Sequence, residues 1–123
     1  MARSLPVVFV VDDDPSVRTA LELLIGSAGL ESVTFATALD FLASPSVSVP
    51  SCLVLDVSLP GIDGLELQTR LGIQRSKVPI IFITGHGDVP MTVRAMKAGA
   101  LEFLTKPFDD EVLLETVRAA LVL

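Results

Sequence analysis

Tryptophan and tyrosine are absent from the 123 residues, and cysteine occurs once, as Cys52. A single thiol cannot form an intrachain disulfide, which excludes a disulfide-stapled secreted scaffold and leaves Cys52 as a small buried hydrophobe in a reducing cytoplasm. No apolar run approaches the length of a membrane span, and no charged n-region precedes an apolar h-region, so nothing indicates insertion or secretion. Positive charge is scarce, with nine Lys and Arg against fifteen Asp and Glu and a formal charge of −6. Gripping a phosphate backbone needs clustered cations, so any contact with DNA must belong to another part of a longer protein. Low-complexity segments and internal linkers are missing too. What remains is a chain half of whose residues are hydrophobic. Its length suits one compact domain, 1–123, with a sheet covered on both sides by helices.

The centre of the chain is Cys52-Leu53-Val54-Leu55, an unbroken apolar run that ends on Asp56 and is followed by Pro60-Gly61 and Asp63-Gly64. Such a run suits a strand buried on both faces of a parallel sheet, and the Pro and Gly pairs mark the loop after it. Val7 to Val11 is a second run of this kind and stops at Asp12-Asp13-Asp14-Pro15. Asp14 is a good N-cap and Pro15 fits the first helical position, so a helix is expected through Val17, Leu21, Leu24 and Ile25 to a stop at Gly29. Glu31 to Ala36 alternates as a strand near an edge, and Thr37 can cap a short helix over Ala38–Ala43 with Leu39, Phe41 and Leu42 facing inward. Ser44 to Pro50 is a loop. Gly64 to Leu71 is expected to be helical, with Leu65, Leu67 and Leu71 buried and Gly72 near its end, before a solvated Arg75-Ser76-Lys77. Pro79 to Ile83 is a wholly apolar strand, Asp88 can cap a helix to Ala98 closed by Gly99, and Leu101 to Thr105 is the fifth strand. Asp109 caps a last helix with the stripe Leu113, Val117, Ala120 and Leu121. A βα unit repeated five times implies an α/β doubly wound fold, with a five-stranded parallel sheet and right-handed crossovers.

The residues just beyond the strands are Asp12 and Asp13, Asp56, Thr84 and Lys106. In a doubly wound sheet they share one edge, with the first and third strands flanking the point where strand order reverses. Three crowded carboxylates repel one another, and a hard divalent cation such as Mg²⁺ is the usual remedy. Any two of Asp12, Asp13 and Asp14 could form the metal pair. Asp12 and Asp13 stand nearest the strand, and Asp14 is left as the cap. A hydroxyl at Thr84 and an ammonium at Lys106 are what a phosphoryl group beside such a cluster needs, with Asp56 as the nucleophile.

These residues, in Val10-Val11-Asp12-Asp13-Asp14, Leu55-Asp56-Val57-Ser58-Leu59-Pro60-Gly61-Ile62-Asp63-Gly64, Ile83-Thr84-Gly85-His86-Gly87 and Phe103-Leu104-Thr105-Lys106-Pro107-Phe108, resemble the receiver domain of two-component response regulators. The resemblance covers essentially the whole chain. It implies the flavodoxin/CheY-like strand order 2-1-3-4-5 and a non-enzymatic switch in which Asp56 accepts a phosphoryl group from a partner histidine kinase. It further implies that Asp13, Asp56 and the Ser58 backbone carbonyl ligate Mg²⁺, with Asp12 helping through water. Thr84 would swing toward the phosphoryl oxygens, Phe103 would turn inward behind it, and Lys106 would pair with the group and precede a cis peptide bond at Pro107. Thr84 to Gly99 is similar to the subgroup joined to a C-terminal helix-turn-helix DNA-binding domain. The chain is then the N-terminal part of a cytoplasmic regulator, dimerising on phosphorylation through the fourth helix, fifth strand and fifth helix, where Arg94, Lys97, Asp109, Asp110 and Glu111 form the rim. Ser58 and His86 are expected to tune the phosphoryl lifetime. Two rivals fit less well. A dehalogenase-type phosphatase wants a second Asp where Ser58 stands, and a flavin module needs a phosphate-cradling loop where Asp12 to Asp14 would repel phosphate.

Overall fold

The computed structural model describes residues 5–45, 47–74, 78–85 and 89–123. Ten elements alternate along the chain: β1 (Val7–Val11), α1 (Pro15–Ser27), β2 (Glu31–Phe35), α2 (Ala38–Ala43), β3 (Ser51–Asp56), α3 (Gly64–Gln74), β4 (Ile80–Thr84), α4 (Val89–Lys97), β5 (Glu102–Thr105) and α5 (Asp110–Leu121). The strands form one parallel sheet in the order β2-β1-β3-β4-β5. β1, β3 and β4 are the continuous apolar runs, and they occupy the interior positions where both faces are covered. β2, at one edge, is half-buried throughout.

The pleat sorts side chains into two cores. Phe9, Val11, Leu53, Leu55 and Phe82 point to the face covered by α2, α3 and α4, where Phe41, Leu67, Leu71 and Ala95 meet them. Val8, Val10, Cys52, Val54, Ile81 and Ile83 point to the face covered by α1 and α5, against Leu21, Ile25, Leu113 and Val117. Burial pushes the Cys52 thiol up to about 12, so it is the inert hydrophobe expected.

The helix starts follow from local chemistry. Asp14 accepts from the Ser16 amide, Thr37 from that of Asp40, and Asp109 from those of Glu111 and Val112. Asp63 caps α3 in the same way, accepting from the Glu66 amide at 2.9 Å. Gly29 and Gly99 close α1 and α4 with φ of 77° and 103°. The expectations for Asp88, His86 and Arg75 to Lys77 lie outside the described residues. Leu39 departs from expectation, being 59% exposed. α2 has only six residues, and Ala38 and Phe41, one turn apart, already fill its inward stripe, which turns Leu39 about 100° away. Leu65 is only half-buried against the core edge, and α3 runs past Gly72 to Gln74.

Gly64 lies where α3 begins against the end of β3. A Cβ there would stand 2.6 Å from the Asp56 carbonyl oxygen and 2.9 Å from the Val57 Cα, both backbone atoms. The Gly64 amide donates to the Val57 carbonyl at 2.9 Å, so the approach is fixed from both sides. Gly64→Ala is therefore expected to destabilise the fold by about 2 kcal/mol, more than the gain in helix propensity returns. Urea unfolding checks this, and a variant as stable as the native chain would show that α3 can shift at no cost.

Candidate functional site

Asp12 is the first residue past β1 and still belongs to the sheet, because its amide donates to the Phe35 carbonyl of β2 at 3.1 Å. Its side chain is fully buried. Oδ1 accepts the Asp14 amide at 2.9 Å, an Asx turn that bends the chain into α1. Oδ2 accepts from the Lys106 ammonium at 2.9 Å. Asp13, next along, is exposed. Asp14 is spent on the cap, and its hydrogen bonds from Ser16 hold its carboxyl below the usual carboxylate range.

Asp56 ends β3 beside Asp12, since Val11 pairs with Leu55 in the parallel register. Its Oδ1 accepts the Ser58 amide at 3.0 Å, and its Oδ2 accepts Lys106 Nζ at 3.2 Å. Lys106 follows β5, held there by its amide donating to the Thr84 carbonyl at 2.7 Å. Thr84 is buried as the last residue of β4, so it lies within the strand rather than beyond it. Phe103 is half-buried in β5, its ring 5.8 Å from that of Phe82 across the pair. The Lys106–Pro107 peptide is cis.

The sheet thus gathers Asp12, Asp13, Asp56, Thr84 and Lys106 at one edge. One carboxylate oxygen each from Asp12, Asp13 and Asp56 lies within 4.8 Å of the others. Hard oxygen donors of this number and span suit an octahedral ion, whose ligands stand roughly 3–4 Å apart. Sequence reasoning missed Arg18, whose Nη1 donates to the Asp12 carbonyl at 2.7 Å. Four residues after Asp14, it reads from sequence as half of an ordinary i, i+4 helix pair, and the backbone contact has no sequence signal.

Burial, joined by the charge of Asp12, raises the Asp56 carboxyl above the usual range, against the opposing pull of the Ser58 amide and Lys106. For Lys106, burial alone would lower the ammonium, but the Asp12 hydrogen bond and the charges of Asp12 and Asp56 outweigh it and hold it above the usual lysine range. A carboxyl that binds its proton more tightly folded than unfolded weakens the fold as pH rises through its raised value, and the penalty is complete above it. Asp56→Asn removes that penalty. Without divalent cation the variant should melt several degrees above the native chain at pH 7. The gap should close as pH falls through the raised Asp56 value toward 3.8, the ordinary carboxyl value. Thermal scans across pH check this, and a variant melting below the native chain at pH 7 would contradict it.

A sequence profile described as "Response regulator receiver domain" matches residues 8–118. Nodulation protein W of Bradyrhizobium diazoefficiens is 56% identical over 119 residues, covering 97% of this chain and 52% of that protein. The structure of response regulator StyR superposes with a TM-score of 0.89 at 52% identity, covering 97% of this chain and 60% of that one. The beryllofluoride-activated NtrC4 receiver domain dimer superposes with a TM-score of 0.86 at 34% identity, covering 94% and 96%. Other relatives are named as transcriptional regulators. The chain spans about half the length of the curated relatives it matches. No helix among the described residues is long and apolar enough to cross a membrane. With its fold, strand order and acidic strand ends alike in agreement, the chain belongs to the response regulator receiver family, a regulatory family of CheY-like fold.

Proposed function

We propose that residues 1–123 are one receiver domain of a longer cytoplasmic regulator and that Asp56 is its phosphoacceptor. The observation that carries this is the placement of Asp56, buried inside a three-carboxylate cluster with Lys106 Nζ at 3.2 Å. An Asp56 carboxylate oxygen attacks the phosphorus of a phosphohistidine on a partner histidine kinase. The P–N bond breaks, its electron pair leaves on the imidazole nitrogen, and that nitrogen takes a proton from solvent. Asp13, Asp56 and the Ser58 carbonyl would hold Mg²⁺, with Asp12 acting through water. When bound, the ion supplies neutralising charge at the phosphoryl oxygens. Lys106 can follow the new anion from its present place between two carboxylates, and Thr84, at the strand end beside it, donates its hydroxyl. The chain catalyses its own phosphorylation and dephosphorylation in this sense and turns over no separate substrate.

The added charge shifts the α4-β5-α5 face as a two-state element, with Phe103 turning inward behind Thr84. What supports a use for that face is its surface. Val89, Val93, Met96 and Val112 are exposed there, among Arg94, Lys97, Asp109, Asp110 and Glu111. Apolar residues bordered by both signs of charge suit an isologous homodimer. DNA is reached only through an output domain outside this chain, in keeping with transcriptional regulators among the longer relatives.

Intact mass after incubation with acetyl phosphate tests the core of this reading. One phosphoryl increment is expected, requiring both Mg²⁺ and Asp56 and lost in Asp56→Asn. An increment that survives Asp56→Asn would move the acceptor elsewhere. No increment from acetyl phosphate or from a histidine kinase, with no Mg²⁺ binding either, would refute the site.

A further inference from the structure

The turn between β1 and α1 must aim two adjacent carboxylates differently, Asp12 into the buried cluster and Asp13 toward solvent. Three of the four polar groups of Asp12 have partners already described: its amide on Phe35, Oδ1 on the Asp14 amide, and Oδ2 on Lys106. The fourth is its carbonyl, which lies in the peptide plane joining Asp12 to Asp13. Rotating that plane would reset the backbone from which the Asp13 side chain leaves, and swinging Asp13 with it would also pull the Asp14 amide away from Oδ1. The group that stops it is the half-buried Arg18 guanidinium, donating from Nη1 at 2.7 Å, the short distance of a charge-assisted hydrogen bond.

Arg18 is itself held. Its amide donates to the Asp14 carbonyl at 3.1 Å, the first turn of α1, and Asp14 caps that same helix. The contacts close a ring: Arg18 to the Asp12 carbonyl, Asp12 Oδ1 to the Asp14 amide, and Asp14 through the helix back to Arg18. We propose that Arg18 is a positioning residue for the cation site, setting where the Asp13 carboxylate stands relative to Asp12 and Asp56. This rests on the reading of Asp12, Asp13 and Asp56 as a Mg²⁺ site.

The sign of the effect separates positioning from charge. A guanidinium beside a cation site repels the cation, so removing it should tighten Mg²⁺ binding by about two- to fivefold if charge were all that mattered. Removing a group that orients a metal ligand weakens binding by about tenfold or more. Lysine keeps the charge but replaces a rigid planar donor with a flexible point charge, so it should hold the carbonyl less well.

The experiment is a Mg²⁺ titration of the native chain, Arg18→Met and Arg18→Lys, followed by calorimetry and by the ¹⁵N–¹H shifts of Asp13 and Asp14, with melting curves recorded without metal. Arg18→Met should bind Mg²⁺ about tenfold more weakly while still folded at the titration temperature, and Arg18→Lys should fall between it and the native chain. Equal or tighter binding by Arg18→Met with a normal native titration overturns the positioning role and leaves the metal site standing. If Arg18→Met does not fold, Arg18→Lys decides: weaker binding supports the role and native affinity overturns it. A native chain that binds no Mg²⁺ overturns the metal site and this inference together.

Discussion

The site depends on one ammonium serving two carboxylates. Lys106 Nζ is 2.9 Å from Asp12 Oδ2 and 3.2 Å from Asp56 Oδ2, and both acids are buried. Taking two like charges out of water costs several kcal/mol per ion unless a countercharge accompanies them. Lys106 offsets part of that cost and no more. Three carboxylates and one ammonium leave the cluster short of positive charge, and burial, joined by the charge of Asp12, raises the Asp56 carboxyl against the pull of Lys106. A cluster left underneutralised in this way has the charge and the oxygen donors to suit a divalent cation.

The contact spans 94 residues of sequence, from Asp12 to Lys106, and nothing local could produce it. It exists because β1, β3 and β4 are apolar enough to be buried on both faces and so take the middle of the sheet. Their parallel register then delivers each first polar residue to the same edge. That is why so much was legible beforehand: an abrupt change from apolar run to Asp marks both the strand end and the site residue. Capping was legible for the same reason, since Asp14, Thr37 and Asp109 act on amides two or three residues away. The rest depended on side-chain direction and close approach. Leu39 has the right residue type for the core and the wrong angle on a short helix. Gly64 stands in a loop-like Asp-Gly pair, yet its purpose is to let α3 touch the backbone of Asp56. Arg18 acts on a carbonyl, and a carbonyl has no letter in the sequence.

Gly64 bears on how the site reaches the rest of the molecule. With no room for a Cβ, α3 is seated directly on the end of β3, so movement of Asp56 and movement of the helix start are geometrically linked. One turn further along α3, Gln68 is a buried amide whose Nε2 donates to the Ala95 carbonyl of α4 at 2.9 Å. That carbonyl also accepts the Ala100 amide at 3.0 Å, closing α4 where the chain turns into β5. A single side chain thus joins α3, which starts against the Asp56 backbone, to the C-terminal turn of α4. A buried amide without its partner costs about 1–3 kcal/mol, so α4 cannot shift independently: it must carry α3 along or leave Gln68 unsatisfied. Phe82 and Phe103 face each other across β4 and β5, with ring centroids 5.8 Å apart. α4 is tied to α3 by the Gln68 hydrogen bond, and its Ala95 belongs to the same apolar core as Phe82 and Phe103. A displacement of α4 must therefore be shared with α3 or cost that hydrogen bond, which couples the two helices.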